Sequence, residues 1–196
     1  MDNIINKLIN KIITTEDDDD LELDSIGDDN IREVLPECKI YTYNQLKNKK
    51  IEELLPSKKS YCIILYQNSP NSGHWTCLLR KNNIIEYFDS YGGKVDAPLK
   101  WISKEKNLKL GINKPYLSEM LKNSPNIYHL VYNDFDFQNL KNHDISTCGR
   151  WCILRLLLYK FSDIMIDDFQ KIIKKIKKKL KKSTYDEIAT RIIDIY

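Results

Sequence analysis

At 196 residues the chain has the length of a single domain and enough material for a sizeable core. A hydrophobic share of 42% and a charged share of 30% exclude wholesale disorder, and no apolar run reaches the length of a membrane span. The net charge of +3 hides a segregation: residues 16–29 carry nine acidic groups and no base, and residues 171–182 carry eight lysines and no acid.

The first predicted element is an amphipathic helix over 1–14, where Ile4, Ile5, Leu8, Ile9, Ile12 and Ile13 recur at helical spacing. Asn3, Asn6, Lys7, Asn10 and Lys11 interrupt those isoleucines, so the N-terminus does not read as a signal peptide. The acidic stretch 16–29 reads as a solvated linker. Residues 61–66 form a short apolar run bounded by turn residues, hence a buried strand. The runs 74–80 and 84–90 flank Lys81-Asn82-Asn83 and predict a hairpin with a three-residue turn. Helical stretches are expected at 98–106 and 115–122, and a further strand at 127–133. From Gly149 onward Trp151, Leu154, Leu157, Leu158 and Phe161 recur at three- and four-residue steps, the pattern of a buried helix. Two more helices close the chain, one over about 166–182 and one after Ser183, whose Ser-x-x-Asp pattern with Asp186 resembles a capping box. The layout is α+β, with a small antiparallel sheet in the middle and helices at the end.

Five cysteines without framework spacing indicate free thiols in a reducing, intracellular setting. Three histidines are available: His74, His129 and His143. His74 opens one hairpin strand and Asp89 ends the other, so the two stand close to opposite each other. An Asp that accepts from one ring nitrogen fixes the tautomer and leaves the other nitrogen for a nucleophile. Taken alone, such a pair is more often structural. Cys148 changes that balance, because it lies where the polar loop Ser146-Thr147 meets the N-terminus of the most apolar helix. Free amides and the helix dipole favour a thiolate there, Gly149 leaves room for a substrate backbone, and the Cys148 N–H supplies half of an oxyanion hole. Cys38, Cys62, Cys77 and Cys152 read as small buried hydrophobes.

The ordered set — His74-Trp75 opening a strand, Phe88-Asp89-Ser90-Tyr91 closing its partner, Cys148-Gly149 opening an apolar helix — resembles the adenain and ubiquitin-like-protease superfamily of cysteine peptidases (clan CE). The resemblance covers about residues 60–160. The stretch Thr147-Cys148-Gly149-Arg150-Trp151-Cys152 is most similar to maturation proteases of large DNA viruses, virophages and polinton-type elements. The resemblance implies a sheet packed on a central buried helix with the nucleophile at its N-terminus. It also implies a thiol endopeptidase without cofactor or metal, with His74 as base, Asp89 as orienting carboxylate and Cys148 as nucleophile. Trp75 and Gly149 would wall a narrow channel for small residues, often Gly. The family's oxyanion-hole Gln usually sits six or seven residues before the Cys; here Gln138 is ten before it and Asn142 six. A loop insertion favours Gln138. On this reading, 36–165 is the protease core, 1–35 an N-terminal helix with its acidic linker, and 166–196 a basic helical segment packed on the core. The implied substrates are capsid or other virion precursors, processed by a monomer in the host cytoplasm, viral factory or virion interior.

Other readings remain. Papain-like enzymes run Cys before His, and viral chymotrypsin-like cysteine proteases place the Cys between barrel strands, against the helical spacing after Gly149. A zinc site built from His74, Cys77, Cys148 and Cys152 would need His74 and Cys77 on one face of a strand, whereas their spacing puts them on opposite faces. A deconjugating protease for ubiquitin-like modifiers is an alternative within the same chemistry. From another class comes a catalytically dead nucleic-acid-binding or capsid-scaffold protein, contacting phosphates through Lys174, Lys175, Lys177, Lys178, Lys181 and Lys182. Ile172, Ile173, Ile176 and Leu180 form one face of that helix, so its lysines also read simply as a solvated side.

Overall fold

The hairpin expected around Lys81-Asn82-Asn83 forms the middle of a five-stranded sheet with strand order β1-β2-β3-β4-β5. The strands are Lys39–Thr42 (β1), Lys59–Ser69 (β2), Ser72–Lys81 (β3), Ile84–Asp89 (β4) and His129–Tyr132 (β5). The computed structural model describes residues 2–14, 26–69, 72–138, 146–181 and 183–193. Five helices lie around the front half and the crossover: Asp2–Thr14 (α1), Asp28–Val34 (α2), Ile51–Leu54 (α3), Lys104–Lys109 (α4) and Tyr116–Lys122 (α5). Three more close the chain: Cys148–Ser162 (α6), Ile166–Lys179 (α7) and Tyr185–Ile192 (α8).

Strands β2, β3 and β4 are antiparallel neighbours, as the sequence predicts, but the outer pairings β1–β2 and β4–β5 are parallel. The sheet is therefore mixed, with its antiparallel part at the centre. Residues 90–128 carry the chain from the end of β4 back to the start of β5, long enough for the crossover a parallel pair requires. Lys81 pairs with Ile84, which shortens the predicted turn to Asn82-Asn83, and Asn82 takes the left-handed conformation (φ 55°) that Asn tolerates.

Alternation along the strands divides the interior into two layers. Ile63, Leu65, Trp75, Cys77, Leu79 and Phe88 pack toward α6. Cys62, Ile64, Tyr66, Leu78, Ile85 and Tyr87 face the opposite way, onto α3, α5 and the 3-10 turn Tyr43–Leu46. Helix α6 lies between the sheet and an outer layer of α1, α7 and α8, so residues 148–156 are buried all round, Arg150 and Arg155 included. Arg155 is compensated by a two-pronged ion pair with Glu86 of β4 (Nε–Oε1 2.6 Å, Nη2–Oε2 2.7 Å), both side chains fully buried. The apolar stripe read from Trp151 onward is buried at Trp151, Leu154 and Leu158 and ends at Phe161, which is 72% exposed.

Several boundaries differ from the sequence expectation. Asp28 and Asp29, read as the end of a linker, form the first turn of α2, where carboxylates meet the positive end of the helix dipole. Residues 16–25 of the acidic stretch lie outside the described residues. The stretch 98–106 splits into the 3-10 turn Ala97–Trp101 and α4, because Ser103 accepts a hydrogen bond from Lys106 N (3.2 Å) and starts a new helix. The cap of α8 is Thr184 rather than Ser183: Thr184 Oγ1 accepts from Glu187 N (2.9 Å), and Glu187 Oε2 accepts from Thr184 N (2.5 Å). Among the described residues, no helix is long and apolar enough to cross a membrane.

Candidate active site

His74 pairs with Tyr66 across β2, and Asp89 pairs with Thr76, so Asp89 lies diagonally from His74 on the same face of the sheet. His74 Nε2 and Asp89 Oδ1 are 2.8 Å apart, with Asp89 fully buried and His74 8% exposed. The carboxylate is itself fixed. Its Oδ1 accepts from Tyr91 N (2.9 Å), while Asn133 clamps the Asp89 backbone by accepting from its N–H (3.0 Å) and donating to its carbonyl (2.6 Å). The following loop closes so tightly that a Cβ at Gly93 would lie 2.6 Å from Asp89 Oδ2. On its other sides the imidazole stacks on Tyr91 (centroids 4.8 Å) and meets the edge of Trp101 (5.0 Å).

The Cys148 side chain lies close enough to the His74 ring to favour its charged form. With Nε2 engaged by Asp89, Nδ1 is the ring nitrogen left for the sulfur. Burial opposes the charged ring, but the Asp89 carboxylate, through its charge and hydrogen bond, and then the Cys148 sulfur outweigh it and hold His74 at about 10. The ring is thus an imidazolium at neutral pH.

Cys148 is the first residue of α6, and the N-cap residue Thr147 makes no side-chain cap to the first-turn amides. All five cysteines are free and buried. Burial pushes the Cys38 thiol up to about 12 and those of Cys62 and Cys152 well above their ordinary value, leaving them inert as nucleophiles. Gln138 is buried next to the Asp89 turn: Ser90 Oγ donates to its Oε1 (2.9 Å), and its backbone N–H donates to Ser90 O (3.0 Å). The side-chain bond fixes which end of the amide is which, with Nε2 turned away from Ser90.

A cleft of about 410 Å³ runs from Cys148 and Trp75 across the ends of β3, β2 and β1, with Leu65 and Gln67 on its floor and Ile26 and Arg32 on its wall. Ile26 is part of the site in a way the sequence did not signal, standing as an apolar residue at the end of an acidic run. Its carbonyl accepts from Trp75 Nε1 (2.9 Å), and a Cβ on Gly149 would come within 3.0 Å of Ile26 Cβ and 3.3 Å of Trp75 Cδ1. The room expected beside Gly149 is taken up by Ile26. Ser90, Asn133 and Asp186 were also missed. Ser90 was legible as the neighbour of Asp89, whereas Asn133 and Asp186 reach the site only through the fold.

The remaining sequence candidates lie elsewhere. Asn142, His143 and Lys182 are outside the described residues, and His129 is an exposed residue of β5. Lys174 sits over the Phe135 ring (4.2 Å), Lys177 over Tyr185 (5.9 Å) and Lys175 by Asp2 (3.7 Å), while Lys178 and Lys181 are exposed; none of them lines the cleft. His74 and Cys77 point to opposite faces of β3, and among the described residues no group of three or more His, Cys, Asp or Glu side chains is arranged to hold a metal.

Over 150 residues the chain is 41% identical to the uncharacterized protein V9 of Sputnik virophage, covering 76% of this chain and 81% of V9. The chain belongs to the V9 family. No protein-family model matches it. Among solved structures, the ASFV pS273R protease superposes with a TM-score of 0.50 at 11% identity, over 91% of this chain and 70% of that one. ChlaDub1 from Chlamydia trachomatis reaches a TM-score of 0.35 at 15% identity, over 98% and 80% of the two chains. The V9-family chain thus shares the α+β fold of the ASFV pS273R protease, with Cys148 opening the central helix and the His74–Asp89 pair at the open end of the hairpin.

Proposed function

We propose that this chain is a cysteine endopeptidase that processes virion precursor proteins. The observation that carries the reading is the single imidazole bonded to buried Asp89, with Cys148, at a helix N-terminus, near enough to favour its charged form. In the proposed reaction the Cys148 thiolate attacks a peptide carbonyl carbon, and the oxyanion is met by Cys148 N–H and the Gln138 side-chain amide. The imidazolium of His74 then gives its Nδ1 proton to the leaving amine as the C–N bond breaks. Water, deprotonated by the now neutral ring, hydrolyses the thioester and releases the acid product and free sulfur. The narrow approach past Trp75 and Ile26 supports small residues, of glycine type, beside the scissile bond. The virophage origin of V9 supports a viral setting, with capsid or other virion proteins as substrates.

Mass-spectrometric mapping of iodoacetamide alkylation at each cysteine, across pH and in wild type and His74→Ala, tests the chemistry. Cys148 is expected to react fastest, to stay reactive near about pH 6, and to lose that advantage in the variant. A Cys148 that alkylates like an ordinary thiol in both proteins would sink the peptidase reading. Co-expression with capsid proteins of the same genome tests the substrate: new termini next to glycine, absent with Cys148→Ala, are expected. Cleavage confined to ubiquitin-like fusions would reassign the enzyme to deconjugation.

A further inference from the structure

Asp186 is a buried carboxylate, 3% exposed, on a helix whose own N-terminus does not use it, since Thr184 and Glu187 form the cap of α8. It points instead at the start of α6. Its Oδ1 accepts from Thr147 Oγ1 (2.5 Å) and from Trp151 Nε1 (3.4 Å), so a single oxygen spans the turn that carries Cys148. Its own backbone carbonyl accepts from Thr190 Oγ1 (2.9 Å), fixing α8 beneath it.

A threonine at an N-cap position ordinarily accepts a hydrogen bond from the second or third amide of its helix. Thr147 occupies that position and makes no such bond: its hydroxyl is held on Asp186, and its backbone (φ −94°, ψ 0°) is not the extended one of a capping residue. A buried carboxylate is costly unless it is hydrogen-bonded, and two of the donors that meet this one, Thr147 and Trp151, flank Cys148 at the start of α6. We infer that Asp186 is a positioning residue for Cys148: it draws the Thr147 hydroxyl away from the N-terminus of α6 and so leaves the first-turn amides open to the sulfur and to the substrate's carbonyl oxygen. The inference rests on the peptidase reading, and it makes α8 a working part of the site.

The test compares Cys148 alkylation by iodoacetamide across pH in full-length wild type, Asp186→Leu, Asp186→Asn and the double variant Asp186→Leu/Thr147→Val. Asp186→Leu frees Thr147 to turn into the extended capping conformation and cap α6, so the rate at pH 6 is expected to fall about tenfold and the pH midpoint to move up. Asp186→Asn keeps an acceptor in place and stays near wild type. Removing the hydroxyl in the double variant returns most of the lost rate, a non-additivity that a staple between α8 and α6 would not produce. Circular dichroism melting confirms that each variant is folded, and Asp186→Ala replaces the leucine variant if that one is not. A folded Asp186→Leu (or Asp186→Ala) with an unchanged profile, or a double variant no faster than the single, overturns the inference. The comparison of wild type with His74→Ala judges the peptidase reading separately, because it does not involve Asp186.

Discussion

The two faces of the sheet bring their halves of the site together by different means. On the His74 face, polar groups are held by directed hydrogen bonds: Asp89 between His74, Tyr91 and Asn133, and beneath them Asp96 accepting from Tyr43 (2.7 Å), Tyr66 (3.1 Å) and Ser118 N (2.9 Å). On the α6 face the sulfur is carried by a helix sunk in Ile, Leu, Phe and Trp side chains, tied to the sheet within the core by the buried ion pair Arg155–Glu86. Hydrogen bonds set angles and a charge state, which a base needs. Apolar packing sets position without direction, so the nucleophile's turn needs its own polar anchor.

The largest effect expected from breaking this contrast is on the α6 side. Arg155→Met leaves Glu86 buried without its partner and should cost about 3–5 kcal/mol in urea unfolding. Adding Glu86→Gln should restore part of that, whereas equal stabilities of single variant and wild type would show that the ion pair does not pin α6.

On the base side Asp89→Asn should lower Cys148 reactivity by about a hundredfold or more while keeping the fold. The same substitution has a pH signature. The folded ring holds its proton up to about 10 against an ordinary value of 6.5, so the folded state binds that proton more tightly than the unfolded chain. Stability from the pair is fully present below 6.5 and falls as pH rises through about 10. In Asp89→Asn that slope should flatten, as followed by thermal melts across the range. An unchanged slope would mean that Asp89 does not set the charge of His74.

The smallest effect belongs to the layer beneath. Tyr66→Phe removes one of three donors to Asp96 and should cost about 1 kcal/mol, without moving the pH profile of Cys148. A shifted profile would extend the polar framework of the base deeper into the protein than the groups that touch Asp89.

What the sequence made legible follows from the physics of each signal. His74, Asp89 and Cys148 stand at the ends of strongly patterned segments, where alternation or helical spacing fixes both element and face. Strand β1 has four residues and α2 seven, too few for a period to show. The misplaced cap has a local cause: Ser183-x-x-Asp186 and Thr184-x-x-Glu187 are two capping patterns offset by one residue, and only burial separates them. Asp186 is the member that the core takes, which no spacing rule reveals. Ile26 meets Trp75 across 49 residues of chain, a contact that belongs to tertiary structure alone.

The carbonyl of Ile26 comes from before the segment 36–165, and the carboxylate of Asp186 from after it. A fragment trimmed to those limits would keep His74, Asp89, Gln138 and Cys148 and still lose a wall of the cleft and the tether of Thr147. An inactive fragment of that kind would therefore say nothing against the chemistry of the whole chain. Conversely, insertions in the α6–α7 or α7–α8 connections that shift α8 by even a fraction of a turn would reach the sulfur without touching the residues around it.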